Sequence, residues 1–293
     1  MKTTLKKGDL SATTDTFGGE LRSLMLNGHE YLWQADPAWW TGQAPVLFPI
    51  VGSLRGGEAR SSQGICRMGR HGLVRKKEHA LISVNDDSVT YETLSDEETR
   101  KHFPYDYRLR MSYTLLGNDT IETRFTVTNT GKVSLPFCCG GHPAFHVPAG
   151  GIDALDYSDF ELKFEDRLSI KAPLLDRDGI FQTDKIFEPL TDSDTLPLKH
   201  ELFDTDAIML SHVPASRVTL RSSKSAHGVQ VNFPGMDFLG IWSAPKNAPF
   251  VALEPWSGHS ATDKEDGIFE HKEGMTILAP GETRSFAFTI RVF

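Results

Sequence analysis

Residues 107–131, YRLRMSYTLLGNDTIETRFTVTNTG, alternate apolar and polar side chains on both sides of a turn at Gly117–Asp119. That period of two places Leu109, Met111 and Tyr113 on one face, as a half-buried strand requires and a helix does not. The arrangement recurs along the chain. DLSATTDTFGG leads into ELRSLMLNGHEYLW, where Asn27–Gly28 is a hairpin pair, and HALISVNDDSVTYETL turns at Asn85–Asp87. VTLRSSKSAHGVQVNF and TRSFAFTIRVF supply later strands. No stretch keeps a helical period beyond about three turns, and the run SDEETRK at 95–101 reads as a solvated polar loop, with a helical turn as the alternative. Many short strands punctuated by Gly and Pro predict an all-β antiparallel sandwich. With no low-complexity linker, one domain spanning 1–293 is the simplest organisation.

A chain of 293 residues can bury a large core. Its formal charge of -8 argues against nucleic acid or an anionic membrane as partner, since both require a basic face. The expected partner is a small molecule. The amino terminus, MKTTLKKGDLSATTDTFGG, has lysines without an apolar run, so neither a secretory signal nor an anchor is expected there. Residues 133–152 carry no charge, but their four glycines and three prolines do not suit a spanning helix. Of the three cysteines, Cys138 and Cys139 are adjacent and cannot readily bridge each other; a reducing, cytoplasmic setting is expected.

Four islands combine Gly, Pro and an ionisable side chain. GGHPAFHVP at 140–148 spaces His142 and His146 four apart, in backbone that glycine and proline keep from being helical. PIVGSLRGG at 49–57 surrounds Arg55, MGRHGLVR at 68–75 surrounds His71, and FVALEPWSG at 250–258 surrounds Glu254. One arginine, two or three histidines and a glutamate set among apolar residues suggest acid–base work on a neutral polar molecule.

In their order and residues these islands resemble the aldose 1-epimerase family, the galactose mutarotase-like proteins, and especially its bacterial branch carrying GGHPAF. The resemblance covers nearly the whole chain. It runs through FPIVGSLR and MGRHG, HFPYDYRLRMSYTL at 102–115, LPFCCGGHPAFHVP, LGIWSAPKNAPFVALEPWSG and FEHKEGMTILAPGET. It implies one large antiparallel β-sandwich, the galactose mutarotase-like supersandwich, with an open cleft. The implied activity is interconversion of the α and β anomers of a sugar, either an aldohexose or a hexose phosphate, with no cofactor and no metal.

By the same resemblance Glu254 is the base that takes the proton from the anomeric hydroxyl, and His142 is the acid that protonates the ring oxygen. The apolar neighbours of Glu254 would raise its pKa toward a useful range. His71 matches a second histidine that hydrogen-bonds the ring oxygen or a neighbouring hydroxyl, and Arg55 matches an arginine that contacts sugar hydroxyls. In LFDTDAIML either Asp204 or Asp206 matches a hydroxyl-binding aspartate, with Asp206 favoured because it directly precedes the apolar strand AIML. His146 stands where the branch commonly has Asn. Beside the resemblance, Trp242 and Trp256 next to the islands either stack on a pyranose face or pack as core aromatics, and Arg67, Arg70, Arg75 and Lys76 around His71 are either a phosphate site or solvated surface charge.

Three other readings compete. His142 and His146 have the spacing of a helical zinc motif, but Pro143 and the double glycine remove the helix. Glu254 and Asp206 could pose as a glycosidase pair, which leaves the histidines without a role. A carbohydrate-binding or sugar-sensing protein on the same fold, with catalysis lost, is the strongest rival.

Overall fold

The computed structural model describes residues 1–151 and 154–293. Two antiparallel sheets face each other across the core. The larger has nine strands, in spatial order Phe181–Pro197, Glu161–Leu175, Arg217–Arg221, Val229–Asn232, Thr283–Val292, Thr120–Asn129, Tyr107–Leu115, Ser88–Leu94 and Ala80–Val84. The expected alternation is realised in it. Leu109, Met111 and Tyr113 are buried, and every second residue of Thr120–Asn129 points inward with them.

The second sheet has Phe250–Trp256 at its centre, flanked by Phe238–Trp242 and by Gly140–Gly141, with Ile208–Ser211 and Val46–Leu47 outside them. Ala144–His146 also pairs with the central strand. All seven residues of Phe250–Trp256 are buried. Such a strand is covered on both faces, so a polar side chain on it is removed from bulk water. Between the sheets, Val46 and Gly141 face Phe125, Phe288 and Ile290, and the rings of Phe48 and Tyr107 meet at 4.8 Å. A four-stranded sheet of residues 2–30 completes the layers, and its last hairpin turns at Asn27–Gly28, both with positive φ. Cys66, Cys138 and Cys139 are free and buried.

Two features differ from expectation. The run at 95–101 is not a loop. Glu97–His102 is an α-helix started by a capping box, in which the Asp96 carboxylate accepts the Thr99 N–H and the Thr99 hydroxyl accepts the Asp96 N–H. Glu97 and Glu98 in the first turn and Arg100, Lys101 and His102 in the last complement the helix dipole. The second is the long hairpin of Glu161–Leu175 and Phe181–Pro197, whose pairing shifts register four times. Its turn, Asp176–Gly179, brings the hairpin tip against the second sheet.

The MGRHG segment is locked to the sheet edge through Gly72. Leu73 donates its N–H to the Phe48 carbonyl at 2.8 Å, and Gly72 has φ of +80°, with a Cβ there overlapping that carbonyl. Gly72→Ala is therefore expected to destabilise the protein by about 2 kcal/mol or more. Urea unfolding of the two proteins measures it, and an unchanged midpoint would contradict the clamp.

Candidate active site

The register of the second sheet creates the site. Gly140 pairs with Trp256 and Ala144 with Ala252, so His142 lies opposite Glu254. Side chains two apart on a strand share a face, and Glu254 and Trp256 therefore project together. All three line a cavity of about 200 Å³, below the about 300–1,000 Å³ of sites for drug-sized ligands. His142 Nε2 is 3.3 Å from Glu254 Oε2. His142 is 8% exposed and Glu254 1%.

Burial dominates the electrostatics. It pushes the Glu254 carboxyl well above the usual carboxylate range; the Asp206 carboxylate adds to the rise and the Arg70 guanidinium opposes it. It drives the His142 imidazole down to about 3. The contact between the two groups would favour an ionised pair, but desolvation is the larger effect on each. Desolvation thus favours the neutral form of each group, carboxyl and imidazole. The indole of Trp40 stacks on the imidazole at 4.9 Å and 25°, and Trp242 meets it edge-on at 5.6 Å.

His71 reaches the same cavity from the Gly72 clamp. Its N–H donates to the Gly52 carbonyl at 2.7 Å, and its Nδ1 accepts the Gly52 N–H at 3.1 Å. With Nδ1 so occupied, the neutral ring carries its proton on Nε2, a donor for a ligand. Burial holds this imidazole well below its ordinary pKa. The ring lies 5.6 Å from His142, nearly perpendicular to it. The φ of His71 is +69° and that of Asp206 is +78°, and non-glycine residues adopt such backbone only where their surroundings impose it.

Asp206 lines the cavity and Asp204 does not. One oxygen of Asp206 accepts two N–H groups of Arg70, at 3.1 and 3.0 Å, while the other accepts the Ala207 N–H at 2.9 Å. Of the residues expected from sequence, Glu254, His142, His71, Asp206, Trp242 and Trp256 come together around the one cavity. Arg55 does not. It is exposed on a short turn and donates to the Asp263 carbonyl at 3.0 Å. The cavity is reached from the PIVGSLRGG island by Gly52 instead, and the next segment supplies the arginines, Arg70 and Arg75.

The remaining candidates separate. Arg67 pairs with Glu58 on the surface and Lys76 is exposed, whereas Arg75 is half-buried and lines the cavity. Among the described residues Arg75 makes no hydrogen bond or ion pair. His146 packs edge-on against Trp33 at 5.4 Å and is not part of the cavity wall. Trp40, Ser260 and the hairpin residues Leu175, Gly179 and Phe181 also line the cavity, and the sequence reading did not single them out. The doubled tryptophan in PAWWTG and the DRDG turn were the available signals.

Comparison with known proteins agrees with this geometry. The sequence model of the aldose 1-epimerase family matches residues 1–291. The chromosomal and plasmid LacX proteins of Lactococcus lactis subsp. lactis are 39% and 38% identical, each match covering 98% of both chains. A galactose mutarotase related enzyme from Lactobacillus acidophilus superposes with a TM-score of 0.92 at 30% identity, over 100% of this chain and 97% of that one. A galactose mutarotase-like protein from Lactobacillus casei does so at 0.90 and 28% identity, over 100% of both. With a family match over almost its entire length, on the sandwich and cleft just described, this chain belongs to the aldose 1-epimerase family.

Proposed function

We propose that the protein is a mutarotase that interconverts the α and β anomers of an aldohexose by acid–base ring opening. The observation that carries this reading is the 3.3 Å contact between His142 Nε2 and Glu254 Oε2, buried in a cavity whose other polar groups are hydrogen-bond donors and acceptors. Glu254 takes the proton from the C1 hydroxyl as His142 gives one to the ring oxygen, and the C1–O5 bond breaks to leave an aldehyde. Rotation about C1–C2 presents the other carbonyl face. On reclosure the C5 hydroxyl returns its proton to His142, Glu254 returns its own to the oxygen on C1, and the protein is unchanged.

Both directions of the reaction require one proton on the pair and one vacancy. Burial favours that singly protonated state; Oε2 and Nε2 lie 3.3 Å apart without a hydrogen bond between them, so the proton passes from carboxyl to imidazole through the hydroxyls of the bound sugar. His71, with its proton on Nε2, donates to the ring oxygen or the hydroxyl beside it, and Asp206 and Arg70 bind hydroxyls farther along the ring. A sugar-binding protein on the same fold needs none of this acid–base matching. Faster anomer exchange with the protein than without it separates the two readings.

A specific observation favours a phosphorylated substrate within this reading. Arg75 is a half-buried guanidinium in the cavity wall that, among the described residues, has no ion pair or hydrogen bond and feels only one carboxyl, that of the more distant Glu20, and it stands next to Arg70, whose charge Asp206 already offsets. A phosphate on the carbon farthest from C1 would supply the missing acceptor. Arg75→Met is expected to raise KM for a hexose 6-phosphate at least about tenfold more than for the unphosphorylated sugar. Equal changes for both sugars would remove the phosphate from the proposal.

Glu254→Gln keeps the shape of the side chain and removes the base. It is expected to lower kcat by about two to four orders of magnitude in a folded protein, and near-normal turnover would rule Glu254 out. The pH profile gives a second check. A further proton on the pair must go to His142, which burial holds down to about 3. Activity should therefore persist below the ordinary histidine range near 6.5 and be lost only as pH falls toward that lower value. The profile of kcat/KM is measured with unphosphorylated sugar, so that no substrate phosphate titrates. An acidic limb near 6.5 would show His142 to be solvated in the working enzyme.

A further inference from the structure

His142 lacks the orienting group that a proton-transferring histidine ordinarily has. In such residues the second ring nitrogen is held by a hydrogen bond, which fixes both tautomer and ring direction. Here Nδ1 is buried and, apart from a poorly aligned approach to its own backbone, has no partner among the described residues. What surrounds the ring is aromatic. Trp40 covers one face at 4.9 Å and 25°, while Trp242 and His71 abut it nearly perpendicular, both at 5.6 Å.

Trp40 is itself firmly held. Its carbonyl accepts the Trp33 indole N–H at 2.8 Å, and its N–H donates to the Asp36 carbonyl at 3.0 Å. Neighbouring Trp39 ties the same segment to the Lys246 carbonyl at 3.0 Å. Gly42 lies under the Trp40 ring so closely that any Cβ there would overlap the indole. The loop that carries Trp40, tied to a second loop at Lys246, therefore holds its backbone, and Gly42 leaves room for the indole. That is more support than a wall residue needs, and its plane follows the imidazole.

We propose that Trp40 is a positioning residue for His142: its indole face, in place of a hydrogen bond at Nδ1, holds the imidazole with Nε2 toward Glu254 and the sugar and keeps water off that ring face. The inference rests on the mutarotase reading for its effect on turnover, but not for its effect on the imidazole. Without the indole the ring can turn, which exchanges Nε2 for a carbon or for Nδ1, and water reaches its face. The charged and titratable groups near the ring are Glu254 across the strand pair, His71, and Arg70 and Arg75. None of them stands on the Trp40 segment, so removing the indole changes solvation and orientation without deleting a charge.

The test compares Trp40→Ala, Trp40→Leu and Trp40→Phe with the parent protein, after circular dichroism has shown which of them fold. In Trp40→Ala, kcat should fall roughly ten- to a hundredfold while KM stays within about threefold. The acidic limb of kcat/KM should move up toward the ordinary histidine range, and Trp40→Phe, which keeps a flat face, should recover most of the loss. Trp40→Leu keeps apolar cover without the flat face and should resemble Trp40→Ala in kcat, so it decides the matter if the alanine variant does not fold. A rise in KM with kcat and the acidic limb unchanged would show that Trp40 only stacks on sugar, and would overturn the proposal. Nitrogen NMR of the sugar-free protein, with the His142 signals identified by their loss in His142→Asn, reads the imidazole directly. Its titration should move up in Trp40→Ala, and an unmoved titration would also overturn the proposal. If the parent protein fails to speed anomer exchange, the mutarotase reading falls, and the NMR comparison still decides what Trp40 does to His142.

Discussion

The site depends on one act of desolvation, the placement of the Glu254 carboxyl in the middle of a strand buried on both faces. An ionised carboxylate there, without a full set of partners, would cost several kcal/mol. Burial therefore raises the carboxyl well above the usual carboxylate range, which favours its neutral form, with the His142 imidazole 3.3 Å away. The same burial lowers the affinity of His142 for a proton, so the ordinary order of the two groups is reversed and both favour their neutral forms. The nine-stranded sheet is needed for this, because it seals the far side of the site sheet. Phe125, Phe288 and Ile290 are part of that seal.

Backbone strain is concentrated around the pair. His71 and Asp206 both occupy left-handed backbone, which costs about 1–3 kcal/mol each. Each is held there by hydrogen bonds to main-chain groups: the Gly52 N–H and C=O for His71, and the Phe203 carbonyl and Ala207 N–H for Asp206. Turning the residue this way lets a loop aim its side chain back at the sheet. A strand already aims its side chains by the pleat, which is why Glu254, His142 and Trp256 need no such distortion.

That difference also explains what could be read from the sequence. The hairpins around Asn27–Gly28, Asn85–Asp87 and Gly117–Asp119 were legible because burial of one sheet face writes a period of two into the chain. That Glu254 and His142 belong to one cavity wall was legible because Gly and Pro mark their segments. Arg55 was misplaced because nothing local to PIVGSLRGG specifies which way a turn residue points; that was decided by the Asp263 carbonyl, 208 residues away. The Glu97–His102 helix was read as a loop because six residues give too little periodicity, and its start is fixed by two hydrogen bonds between Asp96 and Thr99. The place of Trp40 in the cavity wall was hidden for a related reason: an aromatic in a loop is core, wall or surface according to what packs on it.

The division of labour between sheet and loops bears on how such a site can change. The acid–base pair is set by strand register, and a slip by one residue would turn every side chain on the strand to the other face, so its geometry is coupled to the whole sandwich. Arg70, Arg75, Asp206 and the hairpin tip at Gly179 are carried by connections, where substitutions and insertions disturb the core least. The part of the cavity wall carried by the sheet is thus coupled to the fold, and the part carried by loops is less so. His71 lies between these regimes, on a loop but clamped to the sheet edge through Gly72 and Phe48.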